Sequence, residues 1–279
     1  MGWLIAAVAV VIGGWFLYLF FIRCQPSEQT WLCDWYYAHR GLHSRELPEN
    51  TMGAFQAACD AGFGIELDVH LSKDGTVVVV HDHHLRRLAG MDAQPEDLTA
   101  EELGGLSILG SGYGVPTLRE VLDLVGGRVP LLIELKNRGF SGPLEVAVHK
   151  EMEGYEGLYA VQSFSPFSMR WFMKHDPKRL RGQLSCLHSI EETGVHWFPL
   201  FLARHLLTDW ICRPNFISYC RHYLDTTIIK RLRRDGIPIL AWTVESIQEA
   251  EKAAPYCDTI IFQLFDPRKA KLKFRAAER

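Results

Sequence analysis

The feature that most constrains this chain is an alternation. Eight short apolar runs of strand length lie at residues 36–40, 65–69, 131–136, 160–164, 180–185, 215–220, 238–243 and 258–262. Segments with helical spacing of their apolar residues separate them, at 50–61, 117–125, 143–153, 167–175, 200–211, 226–235 and 246–254, and several open on a residue suited to capping a helix. Near-continuous apolar strands alternating with amphipathic helices argue for a parallel sheet covered by helices. Eight repeats of the unit argue for closure into a (β/α)8 TIM barrel, an α/β fold of roughly 250 residues with its functional groups at the C-terminal ends of the strands. The 279 residues hold one such domain.

Composition removes other classes. With 30 Lys+Arg against 33 Asp+Glu, a formal charge of −3 and 48% hydrophobic residues, the chain is neither a disordered nor a low-complexity protein. It also lacks the dense cationic surface that holds nucleic acid. Its seven cysteines, at 24, 33, 59, 186, 212, 220 and 257, are scattered and include no Cys-x-x-Cys pair, so they suggest neither a disulfide framework nor a zinc site.

From Trp3 through Ile22 there is no charged residue. Twenty helical residues reach about 30 Å, the thickness of a bilayer's hydrocarbon core. Only Met1 and Gly2 precede the run and Arg23-Cys24-Gln25-Pro26 follows it, which suits a single-pass transmembrane helix better than a cleaved signal peptide. The expected organisation is an anchor over 1–24, a linker over 25–34, a barrel over 35–268 and a basic tail over 269–279. The anchor helix is expected to pack little against the barrel. Arg23, the reduced-looking cysteines and the basic run Arg268-Lys269-Ala270-Lys271-Leu272-Lys273 point the barrel toward the cytoplasm.

One stretch breaks the alternation. Residues 66–73 run through Asp74-Gly75 into 76–82, a hairpin signal flanked by strand formers. A two-residue turn at Asp74-Gly75 pairs Lys73 with Thr76 and sets Asp68 opposite His81, so a hairpin is expected to rise after the second barrel strand and return a histidine to the mouth. Glu66 shares the face of Asp68 by the strand period of two.

Polar residues gather at other strand ends as well: His39-Arg40-Gly41 after the first strand and Glu134-Leu135-Lys136 after the third barrel strand. Glu66, Asp68 and Glu134 are hard oxygen ligands, a set suited to Mg²⁺ or Ca²⁺. Arg40 and Lys136 can neutralise a phosphate, and His39 and His81 form an acid/base pair suited to phosphodiester cleavage.

These residues carry a resemblance. In order along the chain, His39-Arg40-Gly41, Pro48-Glu49-Asn50-Thr51 with Ala54-Phe55 and Ala58, Glu66-Leu67-Asp68-Val69, Lys73-Asp74-Gly75, His81-Asp82 with Leu85 and Arg87, and Glu134-Leu135-Lys136 resemble the glycerophosphodiester phosphodiesterase family. Gln162-Ser163-Phe164 and Ala241-Trp242-Thr243-Val244 resemble its later strand ends. The resemblance implies a barrel phosphodiesterase with His39 and His81 as acid and base, one divalent cation on Glu66, Asp68 and Glu134, and phosphate contacts from Arg40 and Lys136. Glu49 and Trp242 are supporting candidates, Glu49 either serving the site or ordering its loop. The sequence departs from the family where Asn often follows Trp-Thr-Val and a Thr-Asp-x-Pro turn follows the last strand: Glu245 stands at the first place, and Phe262-Gln263-Leu264-Phe265-Asp266-Pro267 at the second.

The expected activity is metal-dependent hydrolysis of a small glycerophosphodiester to glycerol 3-phosphate and an alcohol, with the membrane contacted through Trp3 to Ile22. Rival readings are lysophospholipase D cleavage of a lysophospholipid, lyase action that stops at a cyclic phosphate, and a non-catalytic phosphate- or lipid-binding membrane protein. The apolar stretch 197–211 is expected to pack on the barrel or to touch membrane.

Overall fold

A computed structural model describes residues 2–137, 139–186, 197–272 and 274. All eight expected runs form strands: β1 (Tyr37–Ala38), β2 (Gly64–Leu71), β4 (Leu131–Leu135), β5 (Tyr159–Ser163), β6 (Arg181–Ser185), β7 (Phe216–Cys220), β8 (Ile239–Val244) and β9 (Thr259–Phe262), with β3 (Val77–Val79) as the return arm of the hairpin. The eight pair in parallel, each with its successor in the barrel, and β1 closes the ring by pairing with both β2 and β9. Helices cover the outside, burying Phe55, Val121, Leu122, Met169, Phe172, Ile229 and Leu232 against the outward faces of the strands. Thr51, Thr117, Thr226 and Ser246 cap four of these helices by accepting a backbone N–H.

Side chains fill the barrel in layers. Tyr37, Leu132, Ala160, Phe216, Leu240 and Ile261 form an apolar floor, closed below by Leu32 of the 3-10 helix Trp31–Asp34, whose carbonyl accepts the Tyr37 hydroxyl at 3.0 Å. Two residues further along the same faces the interior turns polar, with Glu66, Glu134, Gln162 and Ser218 all buried. Gly182 faces inward where a Cβ would stand 2.1 Å from the Phe216 ring, so that ring fills the space a side chain would take.

The hairpin differs from its expected register by one residue. Val69 pairs with Val79, His70 with Val78 and Leu71 with Val77. Asp68 therefore stands opposite Val80, whose N–H it accepts at 3.0 Å, and not opposite His81. The cause is a three-residue turn. Ser72 bonds Thr76 through both backbone and hydroxyl, its hydroxyl reaches Asp74, and Gly75 takes the left-handed conformation with φ 80°. His81 comes to the mouth from the loop after β3, as the chain leaves the ladder.

The expected helix over 200–211 is two, Trp197–Arg204 and Asp209–Cys212. Leu206 takes a left-handed φ of 55°, the Leu207 N–H bonds the Leu202 carbonyl and the Leu206 N–H bonds that of Ala203, which is the Schellman pattern that ends a helix.

Among the described residues, the helix Gly2–Phe21 packs on the barrel at its C-terminal end. Trp3 is 92% exposed, whereas Tyr18 and Leu19 pack on the core, Phe20 and Phe21 meet the Trp210 ring, and Ile22 is buried. Among the described residues, which leave out Met1 and the side chains of Leu4 and Ile5, no helix is long and apolar enough to cross a membrane. The segment that follows is docked: Gln25 donates its N–H to the Pro214 carbonyl at 2.9 Å and accepts the buried Arg181 guanidinium at 2.9 Å.

Gly182→Ala should cost about 1–3 kcal/mol by overpacking the interior. Chemical denaturation of this variant alone and combined with Phe216→Leu measures it, with the second change restoring much of the loss.

Candidate active site

The first strand ends in a tight turn that aims two side chains into the mouth. Arg40 and Gly41 both take left-handed conformations, with φ 57° and 81°. A Cβ on Gly41 would lie 2.9 Å from Ala54 of the helix Met52–Ala61, so only glycine allows that approach. The Arg40 N–H donates to Glu66 Oε2 at 3.1 Å, the Gly41 N–H donates to the Glu66 carbonyl, and the Asn50 N–H donates to the Arg40 carbonyl. Asn50 is itself left-handed, with φ 54°. Two non-glycine residues held in this region cost of order 1 kcal/mol each, a strain the surrounding hydrogen bonds offset.

Glu66 and Asp68 of β2 and Glu134 of β4 converge as the sequence predicts. Their carboxylate oxygens lie within 4.8 Å of one another, all three are buried, and parallel pairing sets Asp68 beside Glu134. Lys136 Nζ stands 2.5 Å from Glu134 and 2.9 Å from Asp68. Arg40 Nε is 3.6 Å from Asp68, and Asn50 donates to Asp68 Oδ2 at 2.8 Å. Ser218 donates to the amide oxygen of Gln162 at 2.7 Å, which turns the Gln162 NH₂ toward Glu66.

Crowding three anions away from water divides their proton affinities. Burial, then repulsion from Asp68 and Glu134, holds the Glu66 carboxyl well above the usual carboxylate range. Burial also raises Glu134, with Lys136 opposing. Burial alone would raise Asp68 too, but the charges of Lys136, His81 and Arg40 hold it well below. Lys136 and Arg40 supply two positive charges against three carboxylates. A hard divalent cation fits this donor set, which is all-oxygen and holds one more carboxylate than there are cations beside it.

The two histidines sit in unlike surroundings. His39 is partly buried, with Nδ1 2.7 Å from Gln263 Oε1, and desolvation of the ring followed by the Arg40 charge pushes its pKa down to about 3, so it is neutral at ordinary pH. His81 Nδ1 lies 2.8 Å from the Asp82 carboxylate. Arg87 grips Asp82 at 2.7 and 2.9 Å and Glu49 at 2.6 and 3.1 Å, and Glu49 in turn meets Arg40 at 2.6 Å. Alternating charges thus run from Arg40 through Glu49 and Arg87 to Asp82, which meets His81. Glu49 sits at the middle of this line, linking the loop after β1 to the one after β3. Trp242 stands at the end of β8 with its ring 5.7 Å from that of Phe164.

Sequence reasoning assigned no role to Asn50 in the site, nor to Asp82, Arg87, Gln162 or Gln263. Asp82, Arg87, Asn50 and Gln162 were visible as matched motif positions and Gln263 as a departure from the pattern, but an amide shows nothing of its partner until the fold supplies one.

Glu66→Gln, Asp68→Asn and Glu134→Gln should each lower affinity for Mg²⁺ or Ca²⁺ in calorimetric titration. In chelated protein the raised Glu66 pKa makes its ionised form destabilising. Its contribution is fully present below the unfolded value of 4.5 and is lost as pH rises through the higher folded value, so thermal stability should fall over that window and fall less in Glu66→Gln.

Comparison with known proteins agrees with this geometry. The model of the glycerophosphoryl diester phosphodiesterase family matches residues 39–262. A glycerophosphodiester phosphodiesterase of Caldanaerobacter subterraneus subsp. tengcongensis is 31% identical over 231 residues, 77% of this chain and 87% of that protein. Among solved structures, a glycerophosphodiester phosphodiesterase of Thermotoga maritima is 30% identical, with a TM-score of 0.63 over 81% of this chain and 93% of that one. A phosphodiesterase of Oleispira antarctica, solved with the product sn-glycerol-3-phosphate, shares the fold at 23% identity and a TM-score of 0.68, covering 82% of this chain and 92% of that one. With the family pattern spanning the barrel from His39 at the first strand end to Phe262 at the last, the chain belongs to the glycerophosphoryl diester phosphodiesterase family and is a phosphoric diester hydrolase.

Proposed function

We propose that the protein hydrolyses a glycerophosphodiester to glycerol 3-phosphate and an alcohol, using a divalent cation on Glu66, Asp68 and Glu134 and the pair His39 and His81. The observation that carries this reading is the buried carboxylate trio at the barrel mouth with two histidines of opposite character beside it. When bound, the cation supplies neutralisation of charge on the phosphoryl oxygens. Arg40 and Lys136 add positive charge at the same face. His39, held neutral by burial, removes the proton of the attacking oxygen. His81, oriented by the Asp82 carboxylate 2.8 Å from its Nδ1, protonates the leaving alkoxide.

A second reading, lysophospholipase D cleavage, is favoured by aromatic side chains that rim the barrel's C-terminal end. Phe140, Phe164 and Phe167 are 80%, 39% and 36% exposed; Phe140 packs on Phe167, and Phe164 packs on Trp242. An acyl chain left on the glycerol would meet these rings. A metal-reconstituted assay against glycerophosphocholine, glycerophosphoethanolamine, glycerophosphoglycerol and their lyso forms, with products identified by mass, separates the two readings and detects a cyclic phosphate. No product from any substrate, with ligand binding retained, would favour a non-catalytic lipid- or phosphate-binding protein.

The helix Gly2–Phe21 completes the proposal as a single-pass membrane anchor, supported by its uncharged sequence and the exposure of its apolar side chains. The barrel then lies on the cytoplasmic side, a placement supported by Arg23 and the basic run at 268–273.

His39→Ala and His81→Ala should each lower kcat by about 10² or more while leaving cation affinity largely intact. Because a base works only when unprotonated, the acid limb of the rate profile should fall below the ordinary imidazole value of 6.5. Removing residues 1–17 should give an active enzyme that partitions out of membranes. Removing residues 1–22 takes a buried core side chain as well, and should lower the melting temperature.

A further inference from the structure

Glu245 and Gln263, which lie where the sequence departs from the family pattern, touch each other, and Gln263 reaches His39. Parallel pairing of Tyr37 with Ile261 and Ala38 with Phe262 brings the residue after β1 beside the residue after β9. The Gln263 backbone is fixed there by its N–H bond to the Val244 carbonyl at 2.9 Å. Its side chain spans two partners. Nε2 donates to Glu245 Oε1 at 2.8 Å, and Oε1 lies 2.7 Å from His39 Nδ1 and 3.4 Å from His43 Nε2. Glu245 is held in turn: its N–H donates to Glu249 Oε2 at 2.8 Å, and Arg221 pairs with Glu249 at 3.0 Å and with Glu245 at 3.6 Å.

The donor and acceptor inventory decides the rest. An ionised carboxylate only accepts, so Glu245 requires the NH₂ of Gln263 on its side. The amide oxygen of Gln263 then faces His39, and an oxygen that only accepts requires a proton on Nδ1. A neutral imidazole with its proton on Nδ1 carries its lone pair on Nε2.

We infer that Glu245 and Gln263 are positioning residues that fix His39 in the Nδ1–H tautomer, leaving Nε2 as the atom that takes the substrate-side proton. The inference rests on the reading of His39 as base. The partner behind His81 is different, the Asp82 carboxylate 2.8 Å from its Nδ1.

The test uses the full chain in detergent. Gln263→Leu removes the acceptor and should lower kcat at least about tenfold, while KM and Mg²⁺ affinity stay near wild type. Gln263→Glu keeps an acceptor and should recover much of that loss. It should also move the acid limb to higher pH, because a carboxylate then faces a ring otherwise surrounded by Arg40, Asp68, His81 and His43. Glu245→Gln, at a half-exposed position, leaves Gln263 free to turn and should give an intermediate kcat; it serves if the Leu variant does not fold. Nitrogen NMR of histidine-labelled protein reads the tautomer directly, with His39 located by its loss in His39→Ala. A wild-type His39 protonated on Nε2 overturns the inference, as does full kcat in both Gln263→Leu and Glu245→Gln or a change confined to KM. Full activity in His39→Ala would sink the base assignment itself; an inactive His39→Ala alongside a fully active Gln263→Leu would sink the positioning role alone.

Discussion

The site depends on one electrostatic constraint, the confinement of three carboxylates in the upper interior of a closed barrel. Burying a single unpaired carboxylate costs several kcal/mol, and three together add mutual repulsion. The surrounding groups are arranged around that cost. Lys136 and Arg40 bring positive charge, Asn50 and Gln162 bring amide donors, and the backbone N–H of Arg40 donates to the Glu66 carboxylate. The left-handed conformation of Arg40 goes with this arrangement, since it presents that N–H.

A second layer of charge ties the mouth together. Glu49 comes from the connection after β1, Asp82 and Arg87 from the one after β3, and each bridges two partners, so Arg40 and His81 are oriented through one continuous set of contacts. Such a network costs side-chain entropy at an exposed rim, where isolated pairs contribute little. Its effect here is geometric: it holds a loop histidine in place with no strand ladder to fix it. On the far side of the mouth, neutral Gln263 does the same for His39. Two chemically identical side chains are thus held by unlike partners, a carboxylate behind one ring and an amide behind the other.

The barrel floor supplies the rigidity beneath. Tyr37, Leu132, Phe216 and Leu240 fill it, Gly182 yields space to Phe216, and the segment 22–34 is clamped across the bottom through Gln25, Arg181 and Leu32. The N-terminal helix is thereby coupled to the catalytic domain through Ile22 and the aromatic contacts on Trp210.

Eight apolar runs, helix-capping threonines and charged residues clustered at strand ends were legible in the sequence, because periodicity and composition are local and a parallel barrel demands them. The convergence of Glu66, Asp68 and Glu134 was legible for the same reason: a period of two and a common strand end place them on one face. The hairpin register was not legible, since it turned on whether the Ser72 hydroxyl would bond across the turn and make it three residues long. The break at Leu206 escaped for a like reason, the helix end being decided by hydrogen bonds of a non-glycine residue in a left-handed conformation. Above all, the partners of His39 and His81 come from Gln263, 224 positions away, and from Asp82, its neighbour. Sequence determined which chemistry was present; only closure of the barrel, which sets the first strand beside the last, decided which atom each imidazole offers.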